Sequence, residues 1–123
     1  MDYFKRINDT HGHAAGDHVL IKLAKYLKEK LRGNDWVARW GGEEFLIVLF
    51  ADGGGTRSAL ERIRTEISNL QVSFADAHIE FTVSIGFTLV NSTDNTQACL
   101  QRADAALYQA KHSGRNRVEP GAS

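Results

Sequence analysis

An α+β domain, with helices packed on a mainly antiparallel sheet, is the fold class the sequence predicts. Three patterns carry that expectation. Apolar residues recur at helical spacing in three separate segments. Two short apolar runs, Trp36 to Trp40 and Phe45 to Phe50, flank a pair of glycines as hairpin strands do. Ile79 to Leu89 alternates apolar with polar or small residues, as a strand with one buried face does. The 123 residues, 42% hydrophobic and 24% charged, suit one compact domain and give no room for a second.

The first predicted helix follows Asp17, where Leu20, Leu23, Ala24, Leu27 and Leu31 share a face and Lys22, Lys25, Lys28 and Lys30 lie largely on others. The two strands come next, joined where Gly41 and Gly42 make positive φ inexpensive. Asp52-Gly53-Gly54-Gly55-Thr56 breaks the chain, and Thr56 offers an N-cap to a second helix with Ala59, Leu60, Ile63, Ile67 and Leu70 on one face. The long strand over Ile79 to Leu89 has one open point, where it starts. Asn91 to Thr96 forms a turn, and Leu100, Ala103, Leu107 and Ala110 mark a last helix before a short strand near Arg117 and Val118.

Lysine plus arginine and aspartate plus glutamate both number 15, so nothing global argues for a nucleic-acid partner or an anionic membrane. Any anion binding is local. The apolar runs are strand-sized, far short of the roughly 20 residues of a membrane span, and the expectation is a cytoplasmic domain. Cys99 is the only cysteine, which excludes an internal disulfide and fits a reducing compartment. On a helix it reads as a packing residue rather than a nucleophile.

Gly41-Gly42-Glu43-Glu44-Phe45 is the chemically informative stretch. Side-by-side carboxylates at a strand mouth cost free energy unless a cation or hydrogen-bond donors offset it, and the glycines let phosphates approach the backbone. Taken alone, a hairpin turn with two solvated acids explains the stretch equally well. Two other segments bear on the choice: Asp2-Tyr3-Phe4-Lys5-Arg6-Ile7-Asn8-Asp9-Thr10-His11-Gly12-His13-Ala14-Ala15-Gly16-Asp17, and Ala103 to Lys111 with Gly114-Arg115-Asn116. In this order the three segments resemble the landmarks of the GGDEF family of diguanylate cyclases, and the resemblance runs from Asp2 to about Val118.

The resemblance implies a palm-like, ferredoxin-related sheet, β-α-β-β-α-β with additions, covered by helices and with the GGEEF hairpin overhanging the site. The first strand is apparently missing. Residues 1–119 would be the GGDEF domain without its N-terminal segment, and 120–123 a tail. Asp2 matches the second aspartate of a D-x-D motif and Met1 the position between. The first aspartate, a metal ligand in the family, is absent, which reads as a start inside a longer protein.

The implied activity is condensation of two GTP into cyclic di-GMP with release of pyrophosphate by a homodimer, with Mg²⁺ or Mn²⁺ as cofactor and a product-inhibition site. Such a displacement needs alignment and charge neutralisation more than covalent help. By resemblance Glu43 is a metal ligand and the Met1 backbone carbonyl another. Glu44 is either a second ligand or the acceptor of the 3′-hydroxyl proton. Gly41 and Gly42 lie along the nucleotide, Phe4 and Lys5 present backbone amides to the β- and γ-phosphates, and Lys111 and Arg115 neutralise the triphosphate. Asn8 and Asp17 read guanine. Outside the motif, Asn8 would be a turn residue, Asp17 a helix N-cap, and Lys111 and Arg115 ordinary cations near a helix C-terminus.

Arg32-Gly33-Asn34-Asp35 matches the family's R-x-x-D inhibition motif, with Arg32 forking onto phosphate and guanine and Asp35 accepting from the base edge. A further arginine would be Arg62 or Arg64, and the sequence does not choose. His11, His13, Trp36 and Trp40 read as structural. The competing class is a binding module, a cyclic di-GMP receptor without turnover, favoured by the absent aspartate. A ligand-free dimerisation domain is the third reading.

Overall fold

The computed structural model describes residues 1–50 and 53–121. Two helices open the fold, α1 (Phe4–His11) and α2 (His13–Lys30), separated by Gly12 alone. Gly12 has φ 92°, and its N–H closes α1 on the Asn8 carbonyl at 2.8 Å while its carbonyl accepts the Gly16 N–H at 3.2 Å. A positive φ here turns the chain within one residue, which glycine does without steric cost. The sequence pattern places no helix at α1 and starts the next one after Asp17; both expectations are corrected, because a single glycine suffices to separate two helices. The longer α2 buries Ala15, Val19 and Tyr26 in addition to Leu20, Leu23 and Leu27.

Strands β1 (Trp36–Gly41) and β2 (Glu44–Val48) pair antiparallel, with Trp36 opposite Val48 and Gly41 opposite Glu44, and the register shifts between Arg39 and Gly41. Gly41 therefore ends β1, and Gly42, with φ 51°, and Glu43 make the two-residue turn. Val37, Phe45 and Ile47 pack against the core. Trp36 and Trp40, expected to be structural, are 47% and 59% exposed on the other face of the hairpin.

Helix α3 (Gly53–Ser68) begins before Thr56, so Thr56 lies inside its first turn instead of capping it. The glycine run lowers helix propensity without barring a helix. Asp52, read as part of the chain break, lies outside the described residues. Two short strands that the sequence reading lacks, β3 (Val72–Phe74) and β4 (Ala77–Ile79), follow as an antiparallel hairpin. Strand β5 (Ile85–Phe87) pairs in parallel with β6 (Val118–Pro120).

The single strand expected over Ile79 to Leu89 is thus divided. Phe81 and Val83 remain buried, so the alternation holds, but residues 80–84 belong to no ladder. One backbone bond reaches this stretch from the chain start, Asp2 N–H to Thr82 O at 2.9 Å. A strand is defined by its neighbour, and without a continuous neighbour the sheet forms three two-stranded pieces. Among the described residues no strand precedes α1.

Helix α4 (Thr96–His112) is capped by Asn95, whose side chain accepts the Ala98 N–H at 2.8 Å. Its backbone lies directly on β5: a Cβ at Gly86 would sit 2.1 Å from Leu107 N and 2.5 Å from Ala103 O. Helices on mixed two-stranded sheets surround one core, in which Val19 and Leu23 of α2 meet Ile63 and Ile67 of α3, Val72 and Ile79 of the sheet pieces, and Phe81 of the unladdered stretch that follows β4. Truncating a side chain as buried as Leu23 to alanine costs about 2–5 kcal/mol. This is the α+β, palm-like class that the sequence predicts.

Candidate functional site

Helix α1 begins behind Tyr3, which is left-handed at φ 55° and contributes no side-chain cap. The Ile7 N–H bonds the Tyr3 carbonyl at 3.2 Å, so the N–H groups of Phe4, Lys5 and Arg6 precede the helix's own ladder and face outward. A row of such donors at the positive end of a helix suits an anion.

The glycine hairpin lies beside this end, since the Met1 nitrogen donates to the Glu43 carbonyl at 3.4 Å. Lys111, in the last turn of α4, reaches Glu44 at 3.8 Å, with both side chains about one-third exposed (32% and 39%). Beyond α4 the chain turns through Gly114 (φ 119°), Arg115 (φ 63°) and Asn116 (φ 46°). The Arg115 N–H bonds the Ala110 carbonyl at 3.0 Å, and its guanidinium stands 4.7 Å from the centre of the Tyr3 ring. Arg6 lies 4.4 Å from the same ring. Segments from the start, middle and end of the sequence therefore meet at one place, with Glu43, Glu44, Lys111, Arg115 and the α1 N-terminus around it.

Asn8 and Asp17 sit on the helical pair. Asn8 is inside α1 rather than in a turn, and Asp17 is an exposed residue within α2, whose N-cap is Gly12. Neither alternative role suggested by the bare sequence applies. The Asn8 Oδ1 is buried with no hydrogen-bond partner among the described residues, a state that costs about 1–3 kcal/mol unless a donor satisfies it. A Cβ on Gly16 would fall 1.8 Å from that oxygen and 3.3 Å from the Phe4 ring, so only glycine admits this packing. A groove of about 490 Å³ runs between α2 and the hairpin, bordered by Asp17, Leu20, Ile21, Val37 and Phe45. A second groove, of about 410 Å³, lies by α4 and Pro120 and contains Arg102, which is already engaged by Asp94.

For a divalent cation, the turn offers the Glu43 carboxylate with the Met1 backbone beside it, while Glu44 is engaged by Lys111. Among the described residues no group of three His, Cys, Asp or Glu side chains forms a metal cluster. Mg²⁺ binds through one or two carboxylates plus substrate phosphates and waters, and does not need an all-protein cage. The donor set fits that mode.

The family model described as "Diguanylate cyclase, GGDEF domain" matches residues 1–117. The chain belongs to the GGDEF family. It is 42% identical over 120 residues to diguanylate cyclase A of Treponema denticola, covering 96% of this chain and 32% of that protein. It thus spans about a third of that relative's length. The GGDEF domain with coiled coil of DgcB from Caulobacter crescentus, solved in complex with c-di-GMP, superposes with a TM-score of 0.89 at 34% identity, covering 98% of this chain and 65% of that one. The active GGEEF domain of a diguanylate cyclase from Vibrio cholerae gives 0.84 at 32% identity, covering 99% and 78%.

In this GGDEF domain the R-x-x-D segment is a tight turn after α2. Asp35 N–H bonds Arg32 O at 2.6 Å, and the Asp35 carboxylate accepts from Arg32 N at 3.2 Å and Phe50 N at 2.7 Å. Asp35 thereby ties the turn to the end of the hairpin, and the Arg32 side chain is left exposed. Arg64 is held by Glu61 at 3.0 Å and by the Asn116 Oδ1 at 2.7 Å. Arg62 is exposed, and its charge acts on Tyr26 and Glu66, near the C-terminal end of α2 from which Arg32 emerges. That helix end is pinned by the Tyr26 hydroxyl donating to Glu66 and by Lys30 at 3.2 Å from the same carboxylate. Burial, and then the bond to Glu66, push the Tyr26 hydroxyl above its usual range, while Tyr26 and Lys30 hold Glu66 below its own.

Sequence reasoning missed Tyr3, whose ring carries two guanidinium groups, and the contacts of Asp2 and Asn116. Their roles depend on residues far away in the sequence, so local spacing carries no sign of them. His11 and His13 are exposed and flank Gly12, with no third ligand grouped beside them among the described residues.

Proposed function

We propose that this domain is a diguanylate cyclase that condenses two GTP into cyclic di-GMP and releases pyrophosphate, acting as a homodimer with one GTP per protomer. The observation that carries the reading is the meeting of Glu43, Glu44, Lys111, Arg115 and the outward α1 amides at one end of the α1–α2 pair, with the unpartnered Asn8 oxygen behind them. Phe4 and Lys5 donate backbone N–H groups to the β- and γ-phosphates, and Lys111 and Arg115 neutralise them. Asn8 and Asp17 hold the guanine edge, and Gly41 and Gly42, where an added Cβ would meet nothing within 4 Å, leave room along the nucleotide. Glu43 with the Met1 carbonyl would hold Mg²⁺ or Mn²⁺, which when bound supplies charge neutralisation and alignment. Glu44, drawn toward Lys111 in this arrangement, either joins the metal or accepts the proton of the 3′-hydroxyl.

Incubating the chain with GTP and Mg²⁺ and separating nucleotides tests this: cyclic di-GMP and pyrophosphate are expected in a 1:2 ratio, set by the proposed stoichiometry, and GTP recovered intact would overturn it. The exposed Arg32 beside a preformed Asp35 turn supports a second role, binding of cyclic di-GMP, with Arg62 as the further arginine because Arg64 is already engaged. A chain that binds cyclic di-GMP without turning over GTP would be a receptor module instead.

A further inference from the structure

We propose that Asp2 is a positioning residue that sets Arg115 at the phosphate end of the site; the proposal rests on the nucleotide reading above. Asp2 is 3% exposed, and both carboxylate oxygens are used within the protein. The Ser84 hydroxyl donates to Oδ1 at 2.5 Å, and Oδ2 accepts from the Thr82 hydroxyl at 2.7 Å and the Asn116 N–H at 3.0 Å. Its own N–H is bonded to Thr82 O at 2.9 Å. A carboxylate this buried and committed to three donors has neither the exposure nor the free oxygen of a metal or substrate ligand.

Among the described residues no lysine or arginine side chain forms an ion pair with Asp2, so these hydrogen bonds are what offset its desolvation. They act on an unusual loop. Arg115 and Asn116 are consecutive non-glycine residues at positive φ, 63° and 46°. Each costs about 1–2 kcal/mol there and persists only where its surroundings fix it. Asn116 is fixed from two sides, by Asp2 at its N–H and by Arg64 at its Oδ1, 2.7 Å away. Arg115 is bracketed by that bond and by the ring of Tyr3, the residue after Asp2. Asp2 thus governs both the path of the loop and the place of the ring, while the base end, where Asn8 packs on Gly16, is built from other contacts.

NMR titration of the wild type, Asp2→Asn, Arg115→Ala and the double variant, with GTP and with guanosine in Mg²⁺ buffer, tests the assignment. Asp2→Asn is expected to weaken GTP binding roughly tenfold, the scale of one misplaced charged hydrogen bond, and to leave guanosine binding unchanged. In the Arg115→Ala background it adds no further loss, and the Asn116 amide loses protection from hydrogen exchange. Ser84→Ala removes one donor and keeps the carboxylate, so it gives a smaller loss in the same direction and serves if Asp2→Asn does not fold. Equal losses for both ligands, additive losses in the double variant, or unchanged GTP affinity would each overturn the proposal alone. A wild type that binds neither ligand would overturn the nucleotide reading as well, which is a different result.

Discussion

Glu43 and Glu44 are neighbours in sequence but differ in what they touch. Glu44 is paired with Lys111 across 3.8 Å, whereas Glu43 meets the chain start through its backbone and contributes no ion pair among the described residues. A turn carboxylate of that kind adds little to packing, so Glu43→Gln is expected to abolish GTP turnover with a melting temperature within a few degrees of wild type; retained turnover would remove it from the metal site. Asp94 shows the opposite case. Arg102 grips it at 2.7 and 3.0 Å, and with the Asn91 N–H holds its carboxyl down at about 2. A depressed folded-state value stabilises the fold above the unfolded value of 3.8, and that contribution is lost as pH falls toward 2. Melting curves of wild type and Asp94→Asn should therefore differ at pH 6 and converge between about pH 4 and 2. A gap that persists at pH 2 would show that the pair is held by something other than its charge.

At the scale of elements, the packing of α4 on β5 brings Lys111 to the glycine hairpin. The contact is backbone on backbone, because Gly86 has no Cβ to hold the helix away. Gly86→Ala forces the two apart and should cost about 1–3 kcal/mol in denaturant melts, the usual range for overpacking. The proposed cyclase activity should fall more steeply than stability, since Lys111 moves with the helix; unchanged stability would mean that α4 can shift freely. Much of this architecture was legible in the sequence. Leu20, Leu23 and Leu27 repeat with the helical period, and Gly41-Gly42 between two apolar runs marks a hairpin. Helix α1 was not, because Ile7 is its one buried residue and one apolar position makes no period. The three-residue strands β3 and β4 are too short for alternation to show. Residues 80–84 carry a strand's pattern without a ladder, since pattern records burial and a ladder needs a neighbour. In the site, motif resemblance named Glu43, Lys111 and Arg115, but the Tyr3 ring and the Asp2 carboxylate owe their roles to partners that no spacing reveals.

Across the whole molecule, the R-x-x-D turn leaves α2 on the far side of the hairpin strands from the glycine turn, the two being joined by the length of β1. Binding of cyclic di-GMP there should be separable from catalysis. Arg32→Ala is expected to weaken it by about 1.5–3 kcal/mol in calorimetry, the worth of a hydrogen bond to a charged group, and Glu43→Gln to leave it unchanged; equal losses in both variants would merge the sites. The bond from Asp2 to Asn116 joins positions 114 apart. Contacts over such spans form after local ones, because loop closure must be overcome before they contribute. The β1–β2 hairpin closes through pairs no further apart in sequence than Trp36 and Val48. In pulse-labelled refolding its amides should gain protection before that of Asn116, so an almost finished fold would exist in which the loop carrying Arg115 is not yet set. On a ribosome the same order holds by necessity: Asp2 emerges 114 positions ahead of Asn116 and waits for that length of chain before its last partner arrives.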